Sequence, residues 1–227
     1  MPKLVRLCLL ALLPLTFFST FSYGAQPLDD LKGPIDEVIR ILRDPRYQDK
    51  AGRELQREKM WNIIQEVFDF TEMAKRTLAR NWKKFTPAQR KEFSELFAEF
   101  LGNNYIDKIQ GGYQEEQVVY LGQKMVTAKR GVVKTKILRE SLEIPVAYSM
   151  VLRGGVWRVY DVNIEGVSLV KNYRTQFRKA LMRKSPAQLI EILRKKIERQ
   201  KKARATRDDR AGGAADALSN RCQFKEG

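Results

Sequence analysis

Apolar residues recur along this chain first at helical spacing, then at alternate positions, then at helical spacing again, and that order predicts the fold. Leu31, Ile35, Val38, Ile39 and Leu42 share one helical face. Pro34 is acceptable in a first turn, and Asp36 and Glu37 are favourable beside the positive end of a helix. Pro45 interrupts, and Met60, Ile63, Ile64 and Val67 resume the stripe on a second helix, with Trp61 at its rim. Asp69 and Glu72 read as a capping box opening a third helix, whose Phe70, Ala74 and Leu78 share a side and which ends near Trp82. Thr86, Pro87 and Gln89 supply a cap, a first-position proline and a residue able to reach back. From there Phe93, Leu96, Phe97, Phe100, Leu101 and Tyr105 give a long helix a wide aromatic face, until Gly111 and Gly112 stop it.

After these glycines the period changes to two, which predicts a four-stranded antiparallel meander. Val119, Leu121, Met125 and Thr127 share a face on the first strand, with a break near Gly122. Gly131 marks the following turn, and Val133, Thr135 and Ile137 share a face on the second strand. On the third, Leu142, Ile144, Val146, Tyr148, Met150 and Leu152 alternate with polar positions. Pro145 cannot donate to a ladder and so suggests an edge or a bulge. Gly154 and Gly155 form the hairpin into the fourth strand, where Val156, Tyr160, Val162 and Ile164 fall on one face and Trp157 and Val159 on the other. Gly166 turns the chain, Ser168 caps a helix carrying Leu169, Tyr173, Phe177 and Ala180, and Ser185, Pro186 and Gln188 open a last helix carrying Leu189, Ile192, Leu193 and Ile197. The class is therefore α+β: a curved antiparallel sheet of about four strands packed against several helices.

Two segments stand apart. Residues 1–24 carry Lys3 and Arg6 before the apolar run Leu7 to Phe18, with Ser22 and Gly24 placed three and one positions before a cut; this is the pattern of a secretory signal peptide. Beyond Gln200 almost no apolar residues remain, so residues 201–227 read as a basic, disordered tail, leaving residues 25–200 as a single domain. Cys8 leaves with the leader and Cys222 is then alone, so an exported domain must be held by burial rather than by a disulfide. A hydrophobic fraction of 43% is enough for that. Net charge is +16, and +14 once Lys3 and Arg6 are lost, so the surface seeks anions; outside the cytoplasm these are lipid headgroups and acidic proteins rather than nucleic acid.

The sequence holds no histidine, which removes the commonest general base and transition-metal ligand. Asp161 and Glu165 are the one carboxylate pair in the strand-to-helix joint, and neither sits in a motif that specifies a reaction. No glycine-rich phosphate loop is present. The composition points to a non-enzymatic protein without cofactor or metal.

Thr86 to Tyr105, TPAQRKEFSELFAEFLGNNY, and Trp157 to Phe177, WRVYDVNIEGVSLVKNYRTQF, resemble the MlaC family, and the similarity extends over roughly Pro27 to Gln200. That family comprises periplasmic phospholipid-binding components of the Mla ABC transport system, also known as toluene-tolerance auxiliary proteins. The resemblance implies a carrier, expected to be monomeric, that moves a two-chain phospholipid between an inner-membrane Mla ABC transporter complex and an outer-membrane Mla lipoprotein complex, maintaining outer-membrane lipid asymmetry. It implies an apolar cavity between sheet and helices, for which the candidate lining is Ile144, Val146, Tyr148 and Met150, Val162 and Ile164, Val133 and Ile137, and Phe97, Leu101 and Tyr105. The same residues read equally well as solid core. Arg80, Lys83, Lys84 and Arg174 are available to a headgroup phosphate or simply to solvent. The alternatives are an exported basic chaperone or interaction protein that holds no stoichiometric lipid, and a small enzyme with a buried carboxylate.

Overall fold

The computed structural model describes residues 26–47 and 49–223, with side chains described as far as Arg207. The expected leader, residues 1–24, lies outside the described residues. Six α-helices surround one sheet: α1 Pro27–Arg43, α2 Lys50–Val67, α3 Phe70–Leu78, α4 Pro87–Gly112, then β1 Gln117–Thr127, β2 Arg130–Arg139, β3 Leu142–Arg153, β4 Val156–Ile164 and β5 Val167–Ser168, and finally α5 Leu169–Leu181 and α6 Pro186–Gln223. All strand pairings are antiparallel and sequential, in the order β1-β2-β3-β4-β5. The expected meander is present, with β5 as an additional short edge.

The caps form where the sequence places them. At Thr86 both arms of the capping box are made, and Ser185 and Gln188 exchange the same two bonds, at 2.9 and 3.3 Å. Asp69 accepts from the Glu72 N–H, but Glu72 does not return the bond; its carboxylate instead takes Arg76 at 2.8 Å and Arg153 at 3.2 Å. The third helix ends at Leu78, where Ala79 takes a positive φ of 50°, and continues as a 3-10 turn, Ala79–Lys84. α1 begins at Pro27, so Pro34 is an interior residue rather than a first-turn one.

Four strand expectations are corrected. Gly131 lies inside β2, not in the turn, and its missing Cβ makes room for α1: a Cβ there would meet Pro27 Cγ at 2.9 Å. Pro145 sits on the interior strand β3, opposite Lys136 and one residue beyond the last β3–β4 pair, Val146 with Ile164; its carbonyl accepts from Glu165 N–H, and the ladder with β4 ends there, where the reciprocal N–H is the one proline lacks. In β1 a bulge between Tyr120 and Gly122 reverses the alternation, so Val119 and Leu121 are exposed while Val118 and Tyr120 turn inward. In β4 Met150 pairs with Val159 and Ser149 with Asp161, leaving Tyr160 as the extra residue of a bulge. Trp157 and Val159 before it, and Val162 and Ile164 after it, therefore all reach the same core.

That core is one of two large clusters. The sheet's inner face packs on α1 and α2 through Leu31, Val67, Val133, Val146, Met150, Trp157, Val159 and Val162. The second cluster lies among α3, α4, α5 and α6, where Phe93, Phe97, Tyr173 and Phe177 meet mostly edge to face at 5.4 to 5.9 Å between ring centres. The last helix also runs past Gln200: Lys201 pairs with Glu99 at 2.6 Å, Arg204 with Glu54 at 3.7 Å and Arg207 with Asp107 at 3.7 Å. Charge on α2 and α4 holds a segment that has too few apolar residues to hold itself.

Gly102 in α4 tests this packing through a change of sign. Glycine to alanine inside a helix ordinarily stabilises by about 1 kcal/mol, but here the new methyl would stand 2.5 Å from the Trp61 ring. Gly102→Ala should instead destabilise by about 1–3 kcal/mol, read as a lower midpoint in urea unfolding.

Candidate functional site

The inner face of the sheet is the largest continuous apolar surface that the strands build. Val133 and Ile137 of β2, Ile144, Val146, Tyr148 and Met150 of β3, and Val162 and Ile164 of β4 all lie in or against this one cluster. Register explains it: Val133 is opposite Tyr148, Ile137 opposite Ile144, Tyr148 opposite Val162 and Val146 opposite Ile164, so same-face neighbours are in contact across three strands. Tyr148 contributes the face's phenol, which burial pushes up from its ordinary pKa and so keeps neutral.

The other three candidates are elsewhere. Phe97 and Leu101 belong to the helical cluster, and Tyr105 packs against it beside Tyr173, its phenol also pushed up by burial. The expected roof of aromatic rings from α4 is thus not over the sheet. Leu28, Leu31 and Ile35 of α1, with Ile63 and Val67 of α2, cover the face instead. Their helical spacing was visible in the sequence, but nothing in a one-sided stripe says which surface it covers.

Besides these apolar side chains, α1 is attached to the sheet by polar contacts at its edges. The Leu28 N–H donates to Gln123 Oε1, Gln123 Nε2 to Gln26 Oε1, the Tyr120 hydroxyl to Asp36 Oδ1 and the Trp157 N–H to Asp30 Oδ2, each at 2.7 Å. Lys32 bonds Asp36 at 2.5 Å and lies over the Tyr120 ring. Lys32 and Tyr120 together hold the Asp36 carboxyl below its usual range, while burial and the nearby carboxylate push the Tyr120 phenol up. Such contacts can exchange for water when α1 moves, which an apolar seam cannot do at low cost.

Two grooves open on the helical side, of about 620 and 460 Å³, and both are bordered by Glu54, Arg57 and Arg204. None of the eleven candidate residues lines either groove. The larger carries Glu54, Glu58, Glu95 and Glu99, and an apolar ligand there would strip water from carboxylates, so the sheet face is the better site for apolar cargo. Arg57 itself is buried between Asn103 and Asp107, with burial lowering its pKa.

The polar candidates serve structure. Asp161 accepts from Ser168 Oγ at 2.6 Å and the Val170 N–H at 3.0 Å, tying the sheet to the start of α5, while Glu165 occupies an exposed left-handed turn position. Arg174 donates to the Arg76 carbonyl at 2.9 Å and is engaged, whereas Arg80, Lys83 and Lys84 are exposed.

The chain matches the MlaC protein family over residues 32–195. It is 27% identical over 190 residues to a toluene tolerance protein of Pseudomonas putida, which covers 81% of this chain and 85% of that one. Its fold is similar to a phospholipid-binding protein from Ralstonia solanacearum solved in complex with a phospholipid, with a TM-score of 0.68 and 21% sequence identity, covering 78% of this chain and 99% of that one.

The Asp36 contacts make the attachment of α1 dependent on acidity. A carboxyl whose folded value is depressed contributes stability at pH above its ordinary value, here 3.8, and loses that contribution as the pH falls through the lower folded value. Tyr120→Phe should therefore speed amide hydrogen exchange in α1 roughly two- to tenfold near neutral pH, the range a net hydrogen bond of about 0.5–1.5 kcal/mol gives. Exchange in α4 should stay as it is, and unchanged exchange in α1 would show that this latch bears no load.

Proposed function

The chain belongs to the MlaC family, and from that premise we propose that it is a periplasmic phospholipid carrier, non-catalytic and monomeric, whose inner sheet face receives the acyl chains. The Ralstonia relative of the same fold, with its bound phospholipid, is the observation that carries the reading. The chain's own chemistry supports it: eight apolar or aromatic residues of β2, β3 and β4 form one face, under a helix fastened by exchangeable polar contacts.

Lipid replaces α1 as the cover of that face. Uncovering Leu28, Leu31 and Ile35 forfeits about 1.5–3 kcal/mol for each side chain. Burying acyl methylenes returns about 0.8 kcal/mol each, and a two-chain lipid carries roughly 30 of them. The balance favours cargo once a substantial part of the chains is inside. The phosphate stays at the rim in water, where desolvation costs nothing and the basic surface attracts it. The leader at residues 1–24 exports the protein, and its working partners are the inner-membrane Mla ABC transporter complex and the outer-membrane Mla lipoprotein complex, so that each passage helps to keep phospholipid out of the outer leaflet.

Native mass spectrometry of the mature protein should show a mass increment of one phospholipid that denaturation releases. Ile137→Trp, at the half-buried end of the face beside Ile144, should lower lipid occupancy at least about tenfold while thermal unfolding shifts by only a few degrees, about 2–4 °C for each 1 kcal/mol of strain. A protein isolated without lipid, and unable to acquire it from vesicles, would end this reading.

A further inference from the structure

The positive charge of this chain is unevenly placed. Residues 73–91 carry seven Lys and Arg and no Asp or Glu, and residues 166–190 carry six and none. The fold brings these two segments together: α5 packs on α3 and on the 3-10 turn Ala79–Lys84, and Arg174 bonds the Arg76 carbonyl across the contact. Lys83, Lys84, Arg178, Lys179, Arg183 and Lys184 are all exposed, and none forms an ion pair among the described residues. At the α5–α6 turn, among these cations, Met182 is 78% exposed.

We infer that this face, formed by the Ala79–Lys84 turn, α5 and the α5–α6 turn, is a docking surface for an anionic lipid bilayer. Its chemistry selects that partner over an acidic protein. The cations stand on long flexible stems spread across three segments rather than around a groove, an arrangement that mobile headgroups can meet by rearranging and a fixed set of carboxylates cannot. Met182 is a flexible apolar side chain at the outermost turn, suited to enter the headgroup layer while its Arg183 and Lys184 neighbours remain at the phosphates. The inference rests on the carrier reading only in that a carrier must meet a membrane.

The test is sedimentation of the full-length mature protein with vesicles of phosphatidylcholine alone or with about one third phosphatidylglycerol. Binding should require the anionic lipid and should vanish as ionic strength rises from about 0.1 M to 1 M, where screening shortens from about 10 Å to 3 Å. Replacing Lys83, Lys84, Arg183 and Lys184 together by Glu should lower partition on the order of a hundredfold or more, at about fivefold for each lost charge, and Met182→Ser should lower it several-fold in a protein with unchanged thermal unfolding. Equal binding to neutral vesicles would overturn the inference. So would an equal loss per residue from reversing Lys195 and Lys202 on α6, or capture by polyglutamate without any binding to vesicles. Native mass spectrometry on the same samples separates the two readings. Protein that carries lipid yet ignores anionic vesicles defeats the docking surface and leaves the carrier, while protein that binds vesicles and never carries lipid does the reverse.

Discussion

Three consecutive residues of β4 join the two halves of this molecule, and the bulge at Tyr160 is what lets them do so. Val159 enters the sheet core, and its carbonyl accepts from the Asp69 N–H at 2.9 Å, fixing the α2–α3 junction on the strand. Tyr160, the unpaired residue, packs toward the helical cluster with the Arg76 guanidinium 4.0 Å from its ring centre. Asp161 turns to Ser168 and the Val170 N–H and sets the start of α5. In a regular strand the first and third of these would share a face, and one of the three connections would be lost. The bulge also restores Val162 and Ile164 to the inner face after Trp157 and Val159, so the apolar surface runs the length of the strand.

The two clusters are closed in different ways. The aromatic cluster among α3 to α6 is closed on all sides by large side chains, with Phe85, Phe93 and Phe97 almost wholly buried, and its ring contacts are lost together or not at all. On the sheet side, α1 sits in a place made for it by Gly131 but held at its edges by groups that water can satisfy equally well. The cost of displacing such a cover lies in its apolar side chains, Leu28, Leu31 and Ile35, rather than in its polar edge contacts. The buried face is core here, and in the proposed carrier it is also the surface an acyl chain would occupy, so reading its residues as lining or as core leads to the same list.

Much of the framework was legible because it depends on local physics. Thr86 with Gln89 and Ser185 with Gln188 announce helix starts whatever surrounds them, and alternation on β3 survives because that strand is paired on both sides. The failures are tertiary. A bulge inverts the alternation on one side of it relative to the other while changing only one residue, so unbroken alternation groups Val119 and Leu121 with Met125, and separates Trp157 and Val159 from Val162 and Ile164, where the fold does the opposite. The Phe97, Leu101 and Tyr105 stripe of α4 reads as apolar from spacing but packs in the helical cluster rather than on the sheet, because periodicity reports a helix's buried side and not its neighbour. The contacts after Gln200 are not legible for a related reason: Lys201, Arg204 and Arg207 are held by Glu99, Glu54 and Asp107, partners about a hundred or more residues away in the chain.

Those same ion pairs decide where the protein's excess charge lies. Glu54 of α2 and Glu92, Glu99 and Asp107 of α4 pair with basic residues of α6, Glu116 with Arg139 where the chain enters β1, and Glu72 and Asp69 with Arg76 and Arg153. A chain with 43 Lys and Arg against 27 Asp and Glu then has few carboxylates left to neutralise α5 and the turn that follows α3. Isolated exposed pairs of this sort add little stability, but their placement shapes the field of the whole molecule, leaving one side close to neutral and the other strongly positive. A protein with such a field meets an anionic surface in a preferred orientation, and the end of α5 is the part that arrives first.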